Sequence, residues 1–377
     1  MVALARKTLL REWRRFLPAV LAVCFAGLLL VVQAALVLGI FGSAAVYVTA
    51  SSPDLWVGFP GTQSVNLGRS ISGDVEMVLR MDPDVTAVEP FLWVDADWRG
   101  PRDVGGVSVF VTGINPRHEG MMFDQIMPVA LRPALMEPGS VIVDRADLDQ
   151  LGVKLGDFAR IDGKRVHVIA AISGLRALGG VNVLTSLETA RALNNIPHDA
   201  GRVTYFVART RNAALAPAIA TRLSGHNAFG RYEVWTAKQF ALRSQLYWML
   251  DTGAGIAVLF MAGIVFLVGV VVASQALMAV VIGSAREYAT LNALGAGMAA
   301  LRRVVFEQAA WIGGIGMILG SALSTLLLLL AESRDVPVAM TPMVALICAS
   351  MIMLLAMFSG LFAMRGLLRA DPAMLLR

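Results

Sequence analysis

The chain is poor in the residues that carry chemistry. It has two cysteines and four histidines in 377 residues. Cys24 and Cys348 both lie inside apolar runs, which excludes a disulfide framework and makes them small packing residues. His118, His167, His198 and His226 lack the spacing of metal ligands. No G-x-x-x-x-G-K-[ST] phosphate loop occurs, and no H-E-x-x-H or cysteine-pair zinc signature. Asp144, Asp147 and Asp149 resemble a fragment of an acidic cation loop, but its glycine and terminal glutamate are missing. They suit a capped helix start, D-R-A-D-L. Ser43 and Ser274 have no basic partner in the apolar runs to activate them. No catalytic residue, metal ligand or cofactor site is therefore expected, and any nucleotide chemistry belongs to another subunit.

Charge is scarce as well. Charged residues make up 16% and hydrophobic ones 57%, with mean hydropathy +0.67. These values exclude an ordinary soluble domain and indicate a polytopic membrane protein with a sizeable part outside the lipid. Basic residues gather at the edges of apolar runs rather than on a soluble face, so a nucleic-acid partner is not expected, whereas membrane lipids are. Thr252–Ala285 holds no charge over roughly 34 positions and Gln308–Ala331 none over about 24, against the ~20 a spanning helix needs. Arg6, Lys7, Arg11, Arg14 and Arg15 precede the first run, which is too long for a signal-peptide core. By the positive-inside rule the N-terminus, residues 1–15, is cytoplasmic. A first span over 16–48 and an extracytoplasmic (periplasmic) domain with stalk over 49–250 are expected to follow. A second span covers 251–283 and a cytoplasmic segment 284–304. A third span follows over 305–331, a short loop over 332–339, a fourth span over 340–364 and a cytoplasmic tail over 365–377. The protein is thus read as a multi-pass inner-membrane protein with four transmembrane α-helices and an α+β domain inserted between the first two.

The exported region alternates strand-like and helix-like pieces. Ala87–Trp98, Gly106–Ile114, Val203–Ala208 and Arg231–Trp235 are rich in β-branched and aromatic residues. In FARIDGKRVHVIAAI, Asp162-Gly163 supplies the positive φ values of a tight hairpin turn. Helices are expected over Ser72–Met81, Leu187–Leu193 and Asn212–Leu223, the second opened by a capping box of Thr185 and Glu188. The second apolar run exceeds the bilayer, and with its lead-in Gln239–Leu250 it predicts a helix projecting as a stalk; Gly253, Gly255, Gly263 and Gly269 leave a kinked or tilted helix as the alternative.

The spans have no ionisable residue at depth, which disfavours an ion-coupled carrier or an intramembrane enzyme. Gly313, Gly316 and Gly320 form a close-approach stripe, suited equally to packing within one subunit or to a dimer. Between spans two and three, apolar or small side chains recur at Tyr288, Leu291, Leu294 or Gly295, and Met298, the spacing of one helical face. That segment is read as a short amphipathic helix along the membrane surface.

The stretch A-R-E-Y-A-T-L-N-A-L-G-A resembles the cytoplasmic coupling segment of ABC-transporter permeases of the MacB-like superfamily, related to FtsX and LolCE. Glu287, Tyr288, Ala289, Leu291, Ala293, Leu294 and Gly295 fall on its pattern, and Asn292 stands where a basic residue is common. The closing A-D-P-A-M-L-L-R is similar to the superfamily's tail. Within it, Pro53-Asp54-Leu55-Trp56-Val57, Ser64-Val65-Asn66-Leu67, Val88-Glu89-Pro90, Val111-Thr112-Gly113-Ile114-Asn115-Pro116 and Val143-Asp144-Arg145 resemble DevC-type permeases. The resemblance implies a permease homodimer driven by a separate cytoplasmic ABC ATPase. The ATPase would touch Arg286, Glu287, Tyr288, Ala289, Leu291, Leu294 and Gly295. It further implies a periplasmic adaptor and outer-membrane channel, and export of lipids or other amphiphiles by mechanotransmission. A non-transporting regulator of cell-wall hydrolases, a lipoprotein-releasing permease and a membrane receptor share parts of this pattern.

Overall fold

The computed structural model describes residues 12–101, 106–117, 119–194, 201–225, 231–284, 290, 298–334 and 336–369. The chain divides into two compact units: Met1–Gly39 with Ala257–Arg377, and Ile40–Ile256.

The first unit is helical because its sequence offers lipid-compatible runs with no polar interruption. Its helices are α1 (Trp13–Gly42), which continues through a 3-10 turn into α2 (Val46–Thr49) of the second unit, then α8 (Gly253–Gly283), α9 (Met298–Glu332) and α10 (Pro342–Arg369). Trp13–Thr49, Gly253–Gly283 and Arg303–Glu332 are long and apolar enough to cross a membrane. Within α10 the described apolar stretch, Pro342–Phe358, is shorter. Phe16, Ala19, Val20 and Val23 of α1 pack with Ala273, Leu277 and Val280 of α8, Ile312 of α9 and Ile352 of α10. The opposite side of α8 leaves Ile256, Phe260, Met261 and Leu267 exposed, as suits a helix whose surroundings are apolar.

Among the described residues the second unit carries nine strands, β1 (Leu55–Gly58), β2 (Val85–Arg99), β3 (Val107–Ile114), β4 (Ser140–Asp144), β5 (Phe158–Ile161), β6 (Lys164–Ile172), β7 (Val181–Ser186), β8 (Tyr205–Thr210) and β9 (Glu233–Thr236). Their order is β3-β7-β4-β6-β5-β2-β8-β1-β9, and a further β2–β3 pairing closes the first six into a ring. β2 serves both parts: Val85–Phe91 pairs with β8, whereas Leu92–Trp98 pairs with β3 and Trp98–Arg99 with β5. The ring is filled by Leu92, Trp98, Val109, Val111, Val141, Val166 and their neighbours. Around the other strands, α3 (Val75–Arg80) and α6 (Ala216–Gly225) cover a second core of Leu55, Leu79, Val88, Phe206 and Ile219.

Local chemistry accounts for most boundaries. Asp162 and Gly163 adopt φ of 48° and 80°, and β5 and β6 pair antiparallel on either side of them, as the Asp-Gly turn predicts. The helix Leu187–Leu193 (α5) forms where expected, but its cap is one residue further on. Ser186 Oγ accepts from Thr189 N at 3.2 Å, while Thr185 is the penultimate residue of β7 and donates to Ser140 O of β4 at 2.7 Å. Thr185 is thus held within the strand, one residue too early to cap the helix. Asp144 behaves as the D-R-A-D-L reading predicts: its carboxylate accepts from Ala146 N and from Leu175 N. After α4 (Leu148–Leu151), Gly152 closes the turn at φ +65°.

Candidate functional site

The coupling residues named above, Arg286, Glu287, Tyr288, Ala289, Leu291, Leu294 and Gly295, lie outside the described residues. The ends that flank them are described. α8 stops at Gly283, and Ser284 is buried beyond it, its N–H bonded to Val280 O and Val281 O. Ser284 Oγ donates to Val280 O at 3.1 Å and accepts from Arg15 Nη2 at 2.9 Å. Arg15 also pairs with Glu12 at 3.0 Å. The start of α1 is therefore tied to the end of α8, one residue before the segment that the family pattern marks for an ATPase. Beyond that segment, α9 opens at Met298, with Arg303 and Glu307 paired at 3.5 Å.

The glycine stripe of α9 faces its neighbours inside this unit. A Cβ at Gly316 would meet Val23 Cβ at 2.9 Å, one at Gly320 would meet Cys24 O at 3.0 Å, and one at Gly313 would meet Ala356 Cβ at 3.0 Å. Only glycine permits such backbone approach where lipid gives no hydrophobic drive.

In the second unit the two segments that join it to the long helices share one aromatic cluster. Tyr47 of α2 is fully buried, and its hydroxyl accepts from Trp93 Nε1 at 3.2 Å. Ser51 Oγ donates to Tyr47 O and accepts from Phe123 N, both at 2.8 Å, so the end of α2 is stitched to the loop after β3. Phe240 of α7 (Ala237–Leu246) stacks on Trp235 with centroids 4.8 Å apart and approaches Trp56 and Tyr205 at 5.5 and 5.8 Å. Phe91 completes the cluster, 5.7 Å from Trp56 and 6.2 Å from Tyr47. Each such ring pair adds about 0.5–1.5 kcal/mol beyond its buried area. Burial also pushes the Tyr205 phenol well above its ordinary range, and the hydroxyl donates to Val65 O at 2.8 Å. The start of α7 is equally firm. Thr236 and Gln239 form a reciprocal capping box, and Ala237 N donates to Asp54 O at 2.8 Å.

Between α7 and α8 the chain does not continue as one projecting helix. Tyr247–Asp251 forms a π-helical turn, and Thr252 is extended at φ −99°, ψ 140°. Thr252 Oγ1 donates to Trp248 O at 2.6 Å and accepts from Gly255 N at 3.0 Å, so it caps the new helix. Gly255 is required there, because a Cβ would lie 2.0 Å from Trp248 O. Trp248 Nε1 donates to Ser64 Oγ at 3.1 Å, and Asn66 Nδ2 donates to Leu178 O at 3.0 Å beside it. The projecting stalk of the sequence reading is thus a capped helix, a π-helical turn and a second helix. π-turns are rare and occur frequently at functional sites.

Arg132 is a further anchor. It is almost fully buried in the loop after β3 and donates to Met122 O at 2.7 Å and Asn115 O at 3.3 Å. Burial lowers its pKa, which nearby Glu89 and Asp124 partly restore. Burial raises the pKa of Glu89, opposed by the hydrogen bond its carboxylate accepts from Met121 N and by the charges of Arg132 and Arg209.

Sequence reasoning missed the aromatic cluster and the Trp248 contact. The one local signal was Thr236-Ala-Lys-Gln239, a capping box directly ahead of α7.

Comparisons with known proteins come from both units. No curated protein matches the chain. Among solved structures, the periplasmic region of MacB from Actinobacillus actinomycetemcomitans is similar at 12% identity and TM-score 0.36, over 52% of this chain and 94% of that one. The extracellular domain of the noncanonic ABC-type transporter YknZ from Gram-positive bacteria is similar at 13% identity and TM-score 0.35, over 49% and 100%. A domain of a putative permease protein from Porphyromonas gingivalis is similar at 12% identity and TM-score 0.32, over 49% and 88%. In the helical unit, residues 259–372, from within α8 to beyond α10, match the model of the FtsX-like permease C-terminal family.

Proposed function

We propose that the protein is the permease subunit of an ABC transporter, of the DevC type within the MacB-like superfamily. It relays ATP-driven motion of a separate cytoplasmic ATPase to a periplasmic domain that exports lipid-like or other amphiphilic cargo. In this reading α10 is the fourth span, both termini are cytoplasmic, the membrane is the bacterial inner membrane, and two permeases form a homodimer. A periplasmic adaptor and an outer-membrane channel complete the route.

The match of residues 259–372 to the FtsX-like permease family carries the reading. The construction of both units supports it. Arg15 and Ser284 tie α1 to α8 beside the coupling segment. In the sheet unit, α2 and α7 insert Tyr47 and Phe240 into one aromatic cluster. Helices anchored this way pass displacement into a rigid sheet rather than dissipating it in a loop.

Co-purification with an ATPase that carries a Walker-A motif tests the proposal. Leu291→Asp places a charge in an apolar contact and is expected to lower ATPase association at least about tenfold, or about 1.4 kcal/mol. Unchanged association and turnover in that variant would refute the coupling assignment.

A further inference from the structure

The outer face of the ring sheet carries a row of like charges. Arg99 at the end of β2 is the register partner of Arg160 on β5, and Arg160 is in turn the register partner of Arg165 on β6. Directly opposed residues of antiparallel strands project from the same face, so three guanidinium groups stand side by side across three adjacent strands. Like charges in that arrangement repel and destabilise the pairing. Among the described residues, no carboxylate lies within ion-pair distance of any of the three. The nearby carboxylate of Asp162 is engaged elsewhere, accepting from Asp97 N at 2.9 Å.

The three arginines line one surface cavity of about 490 Å³, together with Gly100, Pro101 and Phe158. Its aromatic wall is organised. Phe158 is half-exposed, its ring stacks on His167 at 4.7 Å, and the Arg165 guanidinium sits 3.7 Å above it. Stacking holds Arg165 in place while leaving its N–H edges open to an in-plane acceptor. The strand alternation shows that this composition is not forced by the core. Ala159 and Ile161 point inward and are buried, whereas Phe158 and Arg160 point outward.

We propose that this cavity is a binding site for a phosphate-bearing ligand, recognised by the forked donors of Arg99, Arg160 and Arg165, with Phe158 against its less polar part. A phosphate group offers several acceptor oxygens to planar guanidinium forks and neutralises the row that the fold sets up. The same chemistry belongs to an anionic lipid headgroup and to a soluble phosphorylated metabolite.

Full-length protein in a neutral detergent, titrated with glycerol 3-phosphate and with dioctanoyl phosphatidic acid, tests the site and separates the two sources. Saturable binding is expected, with at least about tenfold weaker affinity in Arg160→Gln. The ligand is also expected to raise the melting temperature of the parent and not of the variant. Similar affinity for both probes supports a soluble ligand, and at least tenfold preference for the phosphatidic acid supports a headgroup. Without ligand, Arg160→Gln should melt no lower than the parent, because it relieves repulsion on both sides; if it fails to fold, Arg99→Gln carries the same comparison. Absence of saturable binding, equal affinity in the variant, or binding of polyglutamate but of neither phosphate probe overturns the proposal.

Discussion

Phe240→Ala tests whether the aromatic cluster holds the lead-in helix to the sheet. Phe240 is fully buried, and its ring meets Trp56, Tyr205 and Trp235 at 5.5, 5.8 and 4.8 Å. Three rigid aromatic neighbours on β1, β8 and β9 cannot collapse into the space, so the cost belongs to the upper range for a lost core ring, about 3–5 kcal/mol. For a unit the size of Ile40–Ile256, each kcal/mol moves the melting temperature by about 2–4 °C, giving a fall of about 6–20 °C. Tryptophan fluorescence of the full-length protein reads this transition, because Trp56, Trp93 and Trp235 all belong to the same cluster. Leu242→Ala provides the internal control. It lies on the same helix but is 55% exposed, and its effect should stay within about 0.5 kcal/mol. A fall below about 3 °C for Phe240→Ala, or equal falls for the two variants, would refute the argument that one face of α7 bears the load.

Two further perturbations address other parts of the molecule. The raised pKa of Glu89 means that the folded unit holds its proton more tightly than the unfolded chain, so this residue's contribution falls as pH rises from about 4.5 through the folded value. Glu89→Gln keeps an acceptor for Met121 N, and its melting temperature relative to the parent should rise across that window; a pH-independent difference would contradict the assignment. In the helical unit, Gly316→Leu drives a side chain into Val23, already 2.9 Å from the Cβ position. Overpacking of about 1–3 kcal/mol should lower thermostability in detergent, whereas the same change at Gly314, where the Cβ position is open, should not.

What could be read from the sequence was local. The Asp162-Gly163 hairpin follows from two residues that tolerate positive φ, and Leu187–Leu193 from the capping pattern ahead of it, although the cap is Ser186. The long helices follow from charge-free runs. The cap of α5 was misplaced because β7 runs on through Thr185 to Ser186, a strand end fixed by tertiary pairing. The aromatic cluster draws Tyr47, Trp56, Phe91, Tyr205 and Phe240 from five separated elements, and no window of sequence brings them together. The interruption at Thr252 lies in an apolar run with no proline, where the glycines allowed a kink without fixing its place. It depends on Trp248 reaching Ser64, more than 180 positions earlier. The three-arginine row was equally invisible, since it needs the register of β2 with β5 as well as that of the hairpin.

The double membership of β2 has a consequence for how the sheet unit opens. Val85–Phe91 and Leu92–Arg99 are successive stretches of one strand, yet their ladder partners belong to different sheets. Because the backbone runs unbroken from Phe91 to Leu92, losing either set of partners removes the support that holds the other set in register. Amide protons on either side of the junction, such as those of Phe91 and Val94, should therefore exchange with solvent through one shared opening event rather than two. The ring and the open sheet then constitute a single cooperative foldon, which melts as a whole even though it is built on separate hydrophobic cores.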